Sequence, residues 1–148
     1  MLKVNTNMIA KIIQTASKNP RQLFLIDGVG AIVTAFLTGI VLVYFESFFG
    51  MPKSILIPLA LVACGFSVYS LTCYFTNIRN WQFLLRIIAV ANLLYCGVTM
   101  GFVVYYFELL TSFGLLYFLS ELLIIVVLVM IEWKVAKISP TDFAENAD

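Results

Sequence analysis

The sequence predicts an all-α fold: a membrane-spanning antiparallel four-helix bundle with a short N-terminal amphipathic interfacial helix. Three observations predict it. Of 148 residues, 62% are hydrophobic and 11% charged, which is more apolar surface than a water-soluble domain of this size covers with polar side chains. The apolar residues gather in four runs, 23–45, 55–75, 83–107 and 113–133, each near the ~20 residues with which a helix crosses hydrocarbon. The runs are continuous and lack the period-2 alternation of barrel strands, so helices are expected. Residues 1–138 are then one four-helix domain, and the polar stretch 139–148, which contains the helix-breaking Pro140, reads as a disordered cytoplasmic tail.

Charge orients the spans. Lys3, Lys11, Lys18 and Arg21 precede the first run, Arg79 lies between the second and third, Arg86 is just inside the third, and Lys134 and Lys137 follow the fourth. Only Lys53 falls in the opposite loops, beside Glu46 and Glu108. The positive-inside rule therefore predicts a multi-pass protein with both termini cytoplasmic, and the expected location is a bacterial inner (plasma) membrane. Trp81 and Trp133 read as anchors at the cytoplasmic interface, and Tyr44, Phe48, Phe49, Tyr105 and Tyr106 as the outer belt. The first run is expected to stay in place, since it is too long and starts too late for a cleaved signal peptide.

The segment NTNMIAKIIQTASK, 5–18, carries Met8, Ile9, Ile12, Ile13 and Ala16 at helical spacing, with Asn5, Lys11, Gln14, Thr15 and Lys18 mostly off that stripe. It reads as a helix lying on the cytoplasmic leaflet or docked on the base of the bundle. Asn19-Pro20 ends it, because proline disfavours a helical residue before it. The loops ESFFGMPKS, TNIRNWQ and ELLTSFG are short, which makes successive helices antiparallel neighbours. Pro58 is expected in the first turn of the second span, where a missing donor costs little.

Polar and small residues inside the runs are the candidate functional positions. Asp27, Ala31, Ala35 and Gly39 recur every four residues, and Gly97 and Gly101 form a similar ladder in the third run. Such ladders let backbones approach closely, within the bundle or in a homodimer. Asp27 and Arg86 sit at matching depths at the cytoplasmic ends of the first and third runs, which predicts an ion pair; the alternative is that Arg86 snorkels to lipid phosphates. Glu121 lies roughly 12 Å from the outer end of its run with no Lys or Arg at that depth. Asn92, Tyr95, Thr34 and Ser67, with Cys64 and Cys96, occupy the middle of the other runs. Glu121 with Asn92, Tyr95, Thr34 and Ser67 is the candidate intramembrane ligand or ion site; the alternative is a neutral carboxyl hydrogen-bonded to Asn92 or Tyr95 for packing alone.

Several chemistries are excluded. There is no His, so bis-histidine haem and His-based metal sites are ruled out, and no metal or other cofactor is expected. The three cysteines, Cys64, Cys73 and Cys96, form no C-x-x-C. Gly28-Val29-Gly30 begins like a dinucleotide fingerprint but follows no strand. No basic stripe suits nucleic acid.

The run NPRQLFLIDGVGAIVTAFLTGIVLVYFESFFGMP, with ANLLYCG further on, resembles uncharacterised four-helix membrane proteins of bacteria. That resemblance implies the fold over nearly the whole chain and no activity. In length, helix count and a first-span acid the chain is also faintly similar to small multidrug resistance exporters, whose first-helix acid is a glutamate and which lack a comparable amphipathic N-terminal segment.

Three function classes follow. The first is a small transporter or channel protomer, or a ligand-binding bundle, using the intramembrane acid Glu121. The second is a non-catalytic accessory or scaffold subunit that binds a larger membrane protein through small-residue faces. An enzyme ranks third, because the spans offer acids and tyrosines but no nucleophile–base set. Expected partners are the lipid bilayer and either a second copy or a larger membrane protein, with no nucleic acid.

Overall fold

A computed structural model describes residues 19, 21–76 and 80–137. The interfacial helix expected at 5–18, the Pro20 break, Arg79 and the tail at 139–148 lie outside the described residues. Among those described, all regular structure is helical. Helix α1 spans Arg21–Phe36 and continues through a wide π-helical turn, Leu37–Leu42. A single turn, α2, follows at Glu46–Phe49. Then come α3 at Lys53–Phe75, α4 at Trp81–Tyr105 and α5 at Ser112–Val135. Four segments, Arg21–Leu42, α3, α4 and α5, are long and apolar enough to cross a membrane. Large apolar side chains such as Leu61, Val68, Leu94, Leu123 and Ile124 are about two-thirds exposed, a coat that suits acyl chains and not water.

Helix ends are set by local chemistry. The Thr111 hydroxyl caps α5 by accepting from the Gly114 N–H at 3.1 Å. Gly50, at φ +83°, closes α2 in the left-handed region that disfavours side chains. Pro52 precedes α3, which starts two residues before the expected span. Pro58 therefore sits in the second turn and not the first, where its missing N–H leaves one carbonyl of the opening turn without an intrahelical donor.

The helices associate as two intimate pairs, α1 along α3 and α4 along α5. At Gly39 a Cβ would stand 2.8 Å from the Ala60 Cβ, and at Gly28 one would press on the Leu71 side chain. Small residues thus bring α1 and α3 close, the main route to packing energy where lipid is as apolar as protein. Between the pairs, α3 meets α4 modestly and α1 barely meets α5.

Two apolar clusters close the molecule. At the end carrying the α1–α3 and α4–α5 connectors, Leu42, Met51, Leu56, Val103 and Phe118 pack together. Here the Thr111 hydroxyl donates to the Phe48 carbonyl at 2.6 Å, and the Thr111 N–H donates to the Phe49 carbonyl at 3.2 Å. The Phe48 and Phe113 rings stack at 4.7 Å. Outside the spans, Glu46 accepts from the Lys53 backbone N–H at 2.9 Å and pairs with its ammonium at 3.4 Å. The backbone bond, above all, holds the Glu46 carboxyl below its ordinary range. At the opposite end, Leu23, Phe24, Cys73, Leu85, Ile88, Val135 and Ala136 form the second cluster.

Candidate functional site

Between the two helix pairs lies a cavity of about 420 Å³. Its walls come from α1 (Asp27 to Leu37), α3 (Ala63, Phe66), α4 (Asn92, Tyr95) and α5 (Tyr117 to Leu128). The looseness between pairs creates it: with α1 and α5 apart, their facing side chains do not interdigitate. Gly30 and Val33 on α1, and Ser120 and Ile124 on α5, line the cavity and are also exposed. The cavity therefore opens sideways between α1 and α5.

Of the expected polar site, Glu121, Asn92, Tyr95 and Thr34 meet at this cavity. Glu121 is only 7% exposed, and neither carboxyl oxygen has a hydrogen-bond partner. The Thr34 and Tyr95 hydroxyls flank it without completing a hydrogen bond; the Tyr95 hydroxyl is itself buried and unpartnered. A carboxyl so placed is costly unless it takes up a proton, a cation or a donor. Nearer the connectors, the Tyr117 and Thr38 hydroxyls bond to each other at 3.0 Å. Thr38 belongs to the π-helical turn, a feature often found at functional sites.

Ser67 does not reach this cavity. It lies on a shallow groove between α1 and α3 with Ala35, Gly39, Ala60 and Cys64. Of the small-residue ladder on α1, Ala31 lines the cavity, whereas Ala35 and Gly39 face that groove. Among the described residues, nothing packs against Gly97 or Gly101: a Cβ at either would meet no atom within 4 Å.

The expected Asp27–Arg86 pair is not formed. Asp27 is 3% exposed and accepts from the Ser70 hydroxyl at 2.5 Å and from the Asn92 amide at 2.6 Å, one donor to each oxygen. Arg86 is exposed and donates through Nη2 to the Ala136 carbonyl at 3.0 Å. That carbonyl lies at the C-cap of α5, where a guanidinium satisfies it and complements the helix end without being buried. Depth matching placed the two charges at one level, but their directions around the helix axes differ.

The sequence reading also passed over Glu132. It is fully buried, and both oxygens lack a partner among the described residues. The signal was its spacing: eleven residues beyond Glu121 is about three full turns, which returns it to within roughly 20° of the same face. Ser70 was overlooked because Ser67, one turn earlier, lay nearer mid-span.

Fold and site together define a class, a multi-pass α-helical membrane protein with acids on an internal cavity. Comparison with protein-family models, curated proteins and solved structures finds no match for the chain.

Proposed function

We propose that the chain is a membrane-embedded ligand-binding bundle acting in transport, with Glu121 as the group that answers to a proton or cation. One observation carries this reading: an unpartnered, buried carboxyl stands on the wall of a cavity large enough for a small molecule. A bundle built only to bind a neighbour needs no such carboxyl. In the same reading the spans alternate in direction and both termini face the cytoplasm, as the distribution of Lys and Arg favours. Reconstitution in liposomes with an internal pH-sensitive dye tests it. Wild-type protein should carry proton or cation flux that Glu121→Gln abolishes. If the wild type carries none, and no small-molecule screen gives a Glu121-dependent thermal shift, the transport reading fails.

The accessory reading keeps one supporting observation. Gly97 and Gly101 leave an open backbone strip on α4 that none of the described residues covers. Gly97→Leu with Gly101→Leu would block a helix docked there while leaving the isolated bundle folded. Loss of a co-purifying membrane protein, with flux unchanged, would assign the strip to a partner.

A further inference from the structure

The cavity does not account for Glu132. This residue lies three positions before the last residue of α5, one turn inside the cluster that holds Val135 and Ala136, and it does not line the cavity. Counted along the helix at about 1.5 Å per residue, Glu121 is roughly 16 Å further in. Asp27 lines the cavity, and the apolar cluster that joins Leu23 and Phe24 of α1 to Val135 and Ala136 at the end of α5 brings the next turns inward, those of Asp27 and Glu132, alongside each other. The two lower carboxyls, Asp27 and Glu132, thus lie toward the same end of the molecule.

The hydrogen bonds divide the lower two. Asp27 takes one donor on each oxygen, an arrangement suited to a carboxylate. Glu132 takes none and has no exposure through which water could serve it. Among the described residues, the charged and titratable groups toward this end are Arg21 and Asp27 on α1, Tyr69 and Cys73 on α3, Arg86 on α4, and Lys134 and Lys137 at the end of α5. Tyr69 donates to the Leu84 carbonyl at 3.4 Å, Arg86 donates to Ala136, and Lys134 and Lys137 are exposed. The ion pair of Glu46 with Lys53 stands at the other end of the chain's fold. Among the described residues the hydrogen-bond partners of the two acids are neutral: Ser70 and Asn92 on Asp27, and none on Glu132. A metal ion is a poor fit, because the Ser70 and Asn92 donors already point their hydrogens at both Asp27 oxygens. Nor do three or more ligating His, Cys, Asp or Glu side chains gather among the described residues.

We propose that Asp27 and Glu132 form a proton-binding pair beneath the cavity, holding one proton between them, with Asp27 exchanging it with the cavity. No bond other than O–H is made or broken: a proton leaving Glu132 for Asp27 leaves one carboxylate and creates one carboxylic acid. The pair stands on its own geometry, and only the exchange with the cavity rests on the transport reading.

Infrared spectroscopy of the full chain in nanodiscs at neutral pH tests the pair without any transport assay. In a Glu121→Gln background, Glu132 is the one glutamate left inside the four spans. With carbon-13-labelled glutamate, the protein should show the labelled C=O stretch of a protonated carboxyl. Adding Glu132→Gln should remove that band, and adding Asp27→Asn should move it. If the labelled band is missing, or is unchanged by Glu132→Gln, Glu132 holds no proton and the proposal falls. A band that Asp27→Asn leaves unmoved would overturn the pairing. Should Glu132→Gln not fold, the Asp27→Asn arm decides alone. Absence of flux in liposomes would sink the transport reading and leave this result intact.

Discussion

Around Thr111 the two halves of the chain are joined through backbone carbonyls, whereas around Asp27 they are joined through side-chain donors on a single carboxylate. The connector end has a glycine with positive φ, a capped helix, stacked rings and a filled apolar cluster. Between it and the far cluster lie unpartnered carboxyls, unpartnered hydroxyls and a cavity. Satisfied backbone groups and tight glycines are what a rigid closure requires. Buried polar groups left open are stability forgone, and natural proteins concentrate such groups where a ligand completes them. The difference teaches that one end of this bundle is built to hold and the middle to receive.

The largest effect should come from the rigid end. Gly50→Val places a β-branched side chain at positive φ and drives its Cβ into the Leu109 carbonyl, which α2 cannot avoid without leaving α5. The expected cost is about 3 kcal/mol, read as a lowered thermal midpoint in detergent. A midpoint within a degree or two of wild type would mean that the connectors do not brace the fold.

Next, Asn92→Leu removes one of the two donors to Asp27 and should cost about 2 kcal/mol. Arg86→Gln, by contrast, should stay within about 0.5 kcal/mol, since the Arg86 side chain is exposed and makes a single bond to a helix-end carbonyl. Strong coupling in an Asp27→Asn, Arg86→Gln double-variant cycle would restore the ion pair that the geometry lacks.

Tyr117→Phe deletes one hydroxyl from the Thr38 bond between α1 and α5. Bonds of this kind inside membrane proteins average about 0.6 kcal/mol, and a loss near that size is expected in the same thermal assay. A loss several times larger would show that the π-helical turn depends on this contact.

The smallest effect is acid dependence at the connector end. The Glu46 carboxyl is held below its unperturbed value of 4.5, so its contribution is complete above that pH and disappears as the pH falls through the lower folded value. The pair is exposed, so salt should weaken it further. Thermal midpoints taken downward from pH 6 should fall slightly less for Glu46→Gln than for wild type; parallel curves would remove Glu46 from the account.

Helix positions were legible because hydrocarbon thickness dictates run length, and Leu, Ile, Val and Phe fill the runs at 23–45 through 113–133 with hardly a break. Starts were off by one or two residues where polar side chains such as Lys53 and Gln82 extend a helix beyond its apolar part. The neighbourhood of Glu121 was legible from depth, since Asn92, Tyr95 and Thr34 share its level. Depth, though, says nothing of direction around an axis. That is why equal depth suggests a pairing of Arg86 with Asp27 that the structure does not form, and why Ser67, though at mid-span, faces the groove between α1 and α3 and not the cavity. Glu132 was hidden by its neighbours: between Ile131 and Trp133-Lys134 it reads as the polar edge of a span, while its helical phase turns it inward.

The sideways opening between α1 and α5 changes what concentration means for this protein. In a bilayer, the reference phase for anything bound in the cavity is the acyl-chain layer, so occupancy follows a ligand's mole fraction among lipids and not its dose in the buffer. A compound that partitions strongly would look potent at low lipid and weak at high lipid, with one intrinsic affinity throughout. Titrations at several lipid-to-protein ratios should therefore collapse onto a single curve on a mole-fraction axis and scatter on a molar one. In the transport reading, the competitor at this opening is the end of a lipid tail, which a ligand displaces on its way to Glu121.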